Sequence, residues 1–167
     1  AAVGKLLKAL PGLKDSLVIV TADHGEAFND HDNMIHGRDL FGETMRVPLL
    51  IQWPGYQHSG SLVAEPVGLI DLYPTICAFA GAAPPDYLEG VDVRPLMRGE
   101  KLTPPRPLFA ETKRTDASWW VAVVGGGYKW MKDMSRDQEF LYRYGPDPLE
   151  KVNLIDQGKR MAARLGE

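Results

Sequence analysis

Apolar positions in this chain follow a helical period at first, then continuous β-branched runs, then short runs broken by glycine turns. Val3, Leu6, Leu7 and Leu10 recur at three- and four-residue spacing with Lys5 and Lys8 between them, which predicts an amphipathic helix over residues 3–10. Pro11-Gly12 ends it. Residues 17–21 form an apolar, β-branched run and predict a strand buried on both faces, as in a parallel sheet. Residues 46–53 predict a second apolar strand, closed by the turn pair Pro54-Gly55. Residues 67–70 extend briefly before Asp71, a helix N-cap candidate. Pro74 suits the first turn of that helix, and Gly81 stops it near Ala80.

Residues 81–107 are rich in proline and glycine and predict an ordered connection to a separate small subdomain. There residues 119–124 read as a strand, Gly125-Gly126-Gly127 as a hairpin turn, and residues 128–131 as the return strand. Residues 139–144 predict a third strand, Asp147-Pro148 a turn, and residues 156–165 a closing helix. The fold class is therefore α/β, with a small antiparallel α+β subdomain at the C-terminal end.

The chemistry gathers after the first strand. Asp23-His24 sits where ligands bind in open α/β sheets, beyond a strand's carboxyl end, and Gly25 allows a sharp turn. Carboxylate and imidazole are both metal-ligand types. The polar loop over residues 26–41 is too long for a mere connector and adds Glu26, Asp30, His31, Asp32, His36 and Asp39. Asp30, His31 and Asp32 fit a solvated loop as well as a ligand set. His36 can ligate a metal or protonate a leaving group. Arg38 offers a fork for a tetrahedral oxyanion, or a surface salt bridge to Asp39 or Glu43.

Composition removes several alternatives. The 167 residues are 44% hydrophobic and 25% charged with a formal net charge of -3, so one globular domain's worth of core is available and nucleic acid is not an expected partner. No apolar stretch approaches the roughly 20 residues of a membrane-spanning helix. Cys77 is the single cysteine, which excludes an internal disulfide framework and reads as a buried structural thiol. The compartment stays open. The first residues, Ala1-Ala2-Val3-Gly4-Lys5, carry neither an initiator methionine nor a signal peptide and read as an internal point of a longer chain. The glycine triplet is not a phosphate loop, since no Lys-Ser/Thr follows it. Trp119, Trp120 and Trp130 read as subdomain core or rim.

Several segments in order resemble the C-terminal half of sulfatases in the alkaline phosphatase superfamily. These are Thr21-Ala22-Asp23-His24-Gly25-Glu26, His36-Gly37, Leu40-Phe41 and Arg46-Val47-Pro48-Leu49-Leu50. Further along come Val67-Gly68-Leu69-Ile70-Asp71-Leu72-Tyr73-Pro74-Thr75, Gly90-Val91-Asp92-Val93-Arg94-Pro95-Leu96 and Gly127-Tyr128-Lys129-Trp130. Phe140-Leu141-Tyr142 and Asp147-Pro148-Leu149-Glu150-Lys151-Val152-Asn153-Leu154 complete the series. The resemblance implies that residues 1–100 belong to the C-terminal part of a sulfatase-like α/β sandwich and residues 101–167 to the small subdomain.

The same resemblance implies a hydrolase of sulfate esters, with Asp23 and His24 as metal ligands and His36 and Arg38 at the substrate. It also implies a divalent metal (calcium, manganese or zinc) and a formylglycine nucleophile in an N-terminal part. No Cys/Ser-x-Pro-x-Arg motif occurs here, because Cys77 is followed by Ala78-Phe79-Ala80-Gly81; the chain alone is expected to be inactive. Many relatives have Asp-Asn where this chain has Asp23-His24, and a nitrogen ligand suits manganese or zinc better than calcium. Asp-His also occurs in the superfamily's phosphonate monoester hydrolases and phosphotransferases, so a phosphoester or phosphonate substrate is the alternative. A third reading is a non-catalytic binding or assembly module. The expected partners are a small-molecule or glycan ester, and a missing N-terminal half or a second copy to cover the open apolar faces.

Overall fold

The computed structural model describes residues 2–55, 60–115 and 118–160, and its contacts divide into two units. The first comprises Ala1–Ala22 and Pro48–Leu102; the second comprises Asp23–Val47 and Thr103–Glu167.

In the first unit, α1 (Ala2–Ala9) forms where the spacing predicts it, yet none of its residues is buried and Val3, Leu6 and Leu10 stand exposed. β1 (Val18–Val20) pairs antiparallel with β2 (Leu50–Gln52), with Ile19 opposite Ile51. The expected parallel pairing is thus corrected, and each β1 residue is half-buried rather than covered on both faces. An apolar run reports the demand for burial; pairing direction comes from connectivity, which the run does not encode.

α3 (Leu72–Ala80) ends at Gly81, whose φ of 70° is the left-handed conformation that glycine tolerates. Cys77 on this helix is half-buried rather than buried. Asp71 makes no side-chain cap to α3. It is 1% exposed, and its carboxylate accepts from the Gly68 N–H at 2.8 Å and the Val91 N–H at 2.9 Å. The side chain thereby clamps two chain segments instead of one helix end. Thr75 extends the clamp, donating to the Asp71 carbonyl at 2.6 Å and accepting from Val93 N–H at 3.0 Å. The connection beyond Gly81 carries one short helix, α4 (Arg94–Met97).

The second unit is built on a four-stranded antiparallel meander: β3 (Leu108–Thr115), β4 (Ser118–Gly125), β5 (Tyr128–Asp133) and β6 (Gln138–Arg143). The β4–β5 turn is Gly126-Gly127, with φ of 58° and 80°, as a two-residue hairpin loop of the primed type requires. β3 was not legible because its exposed positions carry Glu111, Lys113 and Arg114 and the alternation ends at Lys113. β4 is nearly all apolar because both faces of the sheet are covered. Trp120 and Ala122 pack on one side with Met131, Tyr142, Leu40 and Phe41; Val123 packs on the other with Trp130 and Leu141. Trp120 and Trp130 are therefore core, while Trp119 is half-exposed and donates its indole N–H to Glu111 at 2.7 Å. The expected closing helix begins at Lys159, and its residues 161–165 lie outside the described ones.

The segment Asp23–Val47 is fastened to this sheet by a buried polar cluster. Lys129, on β5, is 2% exposed and Glu150 is 6% exposed; their charged groups meet at 2.8 Å. The Lys129 ammonium also donates to the Leu40 carbonyl, and Glu150 accepts from the Gly42 N–H at 3.0 Å, just where α2 (Gly42–Met45) begins. Burial holds the Lys129 pKa below its ordinary value, and the Glu150 charge opposes that shift. His31 lies flat on Phe41, ring centres 3.8 Å apart, with Nδ1 2.8 Å from Glu43. Burial lowers its pKa, but the Glu43 hydrogen bond and charge outweigh that, so the net shift is upward.

Two predictions follow from this cluster. Lys129→Met leaves Glu150 charged and buried, and should cost about 3–5 kcal/mol of unfolding free energy in denaturant titration. Adding Glu150→Gln should recover part of the loss, since a neutral amide can still accept from Gly42; a single-variant cost under about 1 kcal/mol would contradict the buried pair. His31, with a folded pKa above its ordinary 6.5, stabilises fully below about pH 6.5 and loses that contribution as pH rises through the folded value. The stability advantage of wild type over His31→Gln should therefore shrink between pH 6 and 8.5. An advantage independent of pH would remove the ion pair from the account.

Candidate functional site

Asp23 and His24 open the second unit, and their geometry is set locally. Gly25 donates its N–H to the Thr44 carbonyl at 2.9 Å. A Cβ added at Gly25 would stand 1.9 Å from the Glu43 carbonyl oxygen. Glycine is required here by this close approach rather than by the sharp turn expected from sequence.

The His24 N–H donates to Asp23 Oδ1 at 3.0 Å, and this bond, with further help from backbone and histidine charge, holds the Asp23 carboxyl below its ordinary pKa. His24 Nδ1 lies 2.8 Å from the Gly25 carbonyl. In the tautomer this contact selects, Nδ1–H donates to a backbone carbonyl and Nε2 keeps its lone pair, as in many metal-bound histidines. Nε2 is 3.7 Å from Asp23 Oδ2, a spacing that two ligands of one ion at about 2.0–2.2 Å can span. The Asp23 side chain is 88% exposed, so the pair is open to further ligands. These two residues therefore fit a metal as a partial donor set. Among the described residues no group of three or more His, Cys, Asp or Glu is arranged to hold an ion.

His36 joins the pair. Its ring stacks on that of His24 with centroids 3.9 Å apart and an interplanar angle of 24°. Its Nδ1 lies 3.0 Å from Glu26 Oε2, and that bond holds Glu26 below its ordinary pKa. Glu26 thus orients the imidazole, a role the sequence did not assign it. His31 stands apart as a structural residue on Phe41.

Arg38 has no hydrogen bond or ion pair to Asp23, His24 or His36 among the described residues. The salt bridges weighed for it are also absent there. Asp39 instead accepts from Asn33 at 2.6 Å and from Phe41 and Thr44, each at 3.2 Å, while Glu43 pairs with His31. Arg38 lines a cavity with Arg114, Arg136 and Trp120. Two hydroxyls from the sheet hold this stretch: Thr112 donates to the Gly37 carbonyl at 3.4 Å and Ser118 to the Arg38 carbonyl at 3.0 Å. Nothing in the local sequence signalled those contacts, which join residues 75 to 80 positions apart.

The chain as a whole is similar to several known proteins. The family model described as Sulfatase matches residues 1–82. The Δ4,5-hexuronate-2-O-sulfatase of Bacteroides thetaiotaomicron is 29% identical over 168 residues, covering 94% of this chain and 34% of that protein. A solved 2-O GAG sulfatase superposes with a TM-score of 0.80 at 26% identity, over 96% of this chain and 36% of the other. The phosphonate monoester hydrolase of Agrobacterium radiobacter gives a TM-score of 0.77 at 26% identity, over 99% and 36% of the two chains. The chain spans about a third of the length of each of these relatives. No helix among the described residues is long and apolar enough to cross a membrane. By family model over residues 1–82, and by sequence and α/β structure over nearly the whole chain, this protein is similar to the sulfatase family.

Proposed function

We propose that this chain is the C-terminal portion of a metal-dependent sulfate ester hydrolase, in which Asp23 and His24 bind the metal and His36 and Arg38 contact the substrate. The observation that carries the reading is the facing of Asp23 Oδ2 and His24 Nε2 at 3.7 Å with His36 stacked beside them. When bound, a divalent ion neutralises developing oxyanion charge and lowers the pKa of the nucleophile. His24 brings a nitrogen ligand, which favours manganese or zinc over calcium.

The chain's own residues divide the remaining work. Asp23 stays ionised, and its carboxylate offers an oxygen ligand beside the imidazole. The Gly25 carbonyl fixes the His24 ring. Glu26 fixes the His36 ring through Nδ1 and leaves Nε2 to face the ester's oxyanion or its departing oxygen. Arg38 supplies a forked cation for an anionic group of the substrate. The nucleophile, expected as formylglycine, and the remaining acidic ligands belong to a part of the protein outside these residues. Exposed apolar side chains on the first unit, Val3 and Leu6 on α1, Leu10 just after it, and Tyr73 and Ile76 on α3, support a covering partner surface, from that part or from a second copy.

The hexuronate-2-O-sulfatase and 2-O GAG sulfatase relatives favour a glycan sulfate as the substrate class. The phosphonate monoester hydrolase neighbour, together with the Asp-His pair, supports a second reading as a phosphonate or phosphodiester hydrolase.

In the complete protein, Asp23→Asn and His24→Ala should each lower metal content, measured by elemental analysis, with circular dichroism unchanged. Undiminished metal in both variants would remove the site. His36→Ala should lower kcat and kcat/KM together by about a hundredfold or more, as expected for a group acting on transition-state charge; near wild-type kinetics would assign the ring to loop structure. Faster turnover of an aryl phosphonate monoester than of an aryl sulfate would select the second reading.

A further inference from the structure

We propose that the cavity beside the His36 loop is a binding subsite for an acidic sugar unit, with Arg38 and Arg114 holding its anionic group and Asp32 accepting from its hydroxyls. This rests on the sulfate ester reading above for the nature of the substrate. The cavity itself is independent of it. Its volume is about 590 Å³, of the order of small-ligand pockets, and every lining residue lies within the second unit.

Most polar groups lining the cavity are already committed. Asp39 is occupied by Asn33, Phe41 and Thr44. Arg136 gives its Nη1 to Asp133 at 2.7 Å. His31 is engaged with Glu43, and Ser118 with the Arg38 carbonyl. Arg38, Arg114 and Asp32 are exposed, and none of them forms an ion pair among the described residues. Two guanidinium groups match a carboxylate or sulfate by forked hydrogen bonding. Asp32 disfavours a bare anion at the same place but suits a ligand that also presents hydroxyl donors. A sugar carrying an acidic group has both.

The scaffold gives this pairing a reason. Arg114 is carried on β3. Thr112 on the same strand, and Ser118 on β4, hold the carbonyls of Gly37 and Arg38. The strands that present Arg114 therefore also fix the backbone of the loop that presents His36 and Arg38. Only Gly37 separates those two residues in the chain, and Arg38 but not His36 lines the cavity, so the cavity would receive a part of the substrate neighbouring the ester rather than the ester itself.

The test uses the complete protein, a glucuronate-containing sulfated tetrasaccharide, neutral cellotetraose and a small aryl sulfate. Wild type should bind the tetrasaccharide and not cellotetraose in calorimetry. Arg114→Gln should weaken tetrasaccharide binding about tenfold or more, the change expected for losing a charge-assisted hydrogen bond. It should also lower the ratio of kcat/KM for the tetrasaccharide to that for the aryl sulfate by a similar factor, with Arg114→Lys recovering part of it. Arg114 is exposed, so loss of fold is not expected, and circular dichroism checks that. Tetrasaccharide binding unchanged in both Arg114→Gln and Arg38→Gln would overturn the subsite, as would equal losses on both substrates. Arg114-dependent binding without hydrolysis of any sulfate ester would overturn the activity and leave the subsite standing.

Discussion

The second unit depends on one buried ion pair. Lys129 and Glu150 place full charges where exposure is only a few per cent, an arrangement that is stable only when every polar atom is satisfied. The ammonium meets the carboxylate and the Leu40 carbonyl, and the carboxylate also meets the Gly42 N–H. The cluster therefore joins β5, the C-terminal segment and the loop between Leu40 and Gly42. Leu40 and Phe41 flank the junction and pack into the apolar cluster of Trp120, Ala122, Met131 and Tyr142. Burial also drives the Tyr142 phenol up to about 12, so it remains neutral and adds no charge to this region.

Everything proposed for the site hangs from that fixed point. Asp39, one residue before the junction, organises its own turn by accepting from Asn33, Phe41 and Thr44. Thr44 in turn gives its carbonyl to Gly25, whose missing side chain lets the Glu43 and Thr44 backbone approach. Asp23 and His24 are then held by a path of hydrogen bonds running back to a charge pair more than a hundred residues away in sequence. A side chain at Gly25 would break the path at its narrowest point.

This explains which parts were legible in the sequence. Asp23-His24, His36 and the Gly126-Gly127 turn carry local signals: an apolar run ending in ligand types, an imidazole beside a glycine, and a paired-glycine turn. α1 and the β4, β5 and β6 strands were legible from periodicity and apolar runs. The partners that fix the site were not. Glu26, Thr112 and Ser118 are ordinary polar residues until the chain folds, and Lys129 reads like any lysine of an exposed strand. Asp71 resembled a helix cap because its position beside the helix was visible and its bond to Val91, 20 residues on, was not. The antiparallel pairing of β1 with β2 was misread for the same reason, since the direction of a partner strand is a property of the connection.

The two halves of the proposed site consequently answer to different constraints. The Asp23-His24 pair is built from contacts within three residues, through the His24 N–H and the Gly25 carbonyl, and tolerates little change because each bond also fixes a tautomer or a charge state. The Arg38 side is built by the sheet, through hydroxyls of Thr112 and Ser118 acting on backbone carbonyls. Those contacts require a hydroxyl at each strand position but place no demand on the outward side chains of Lys113 or Arg114. The cavity lining can therefore vary on β3 while the backbone of the loop, and with it the His36 ring, keeps its support. The proposed metal pair and the proposed subsite would therefore be carried by separable sets of residues, and Gly37 lies between them in the chain.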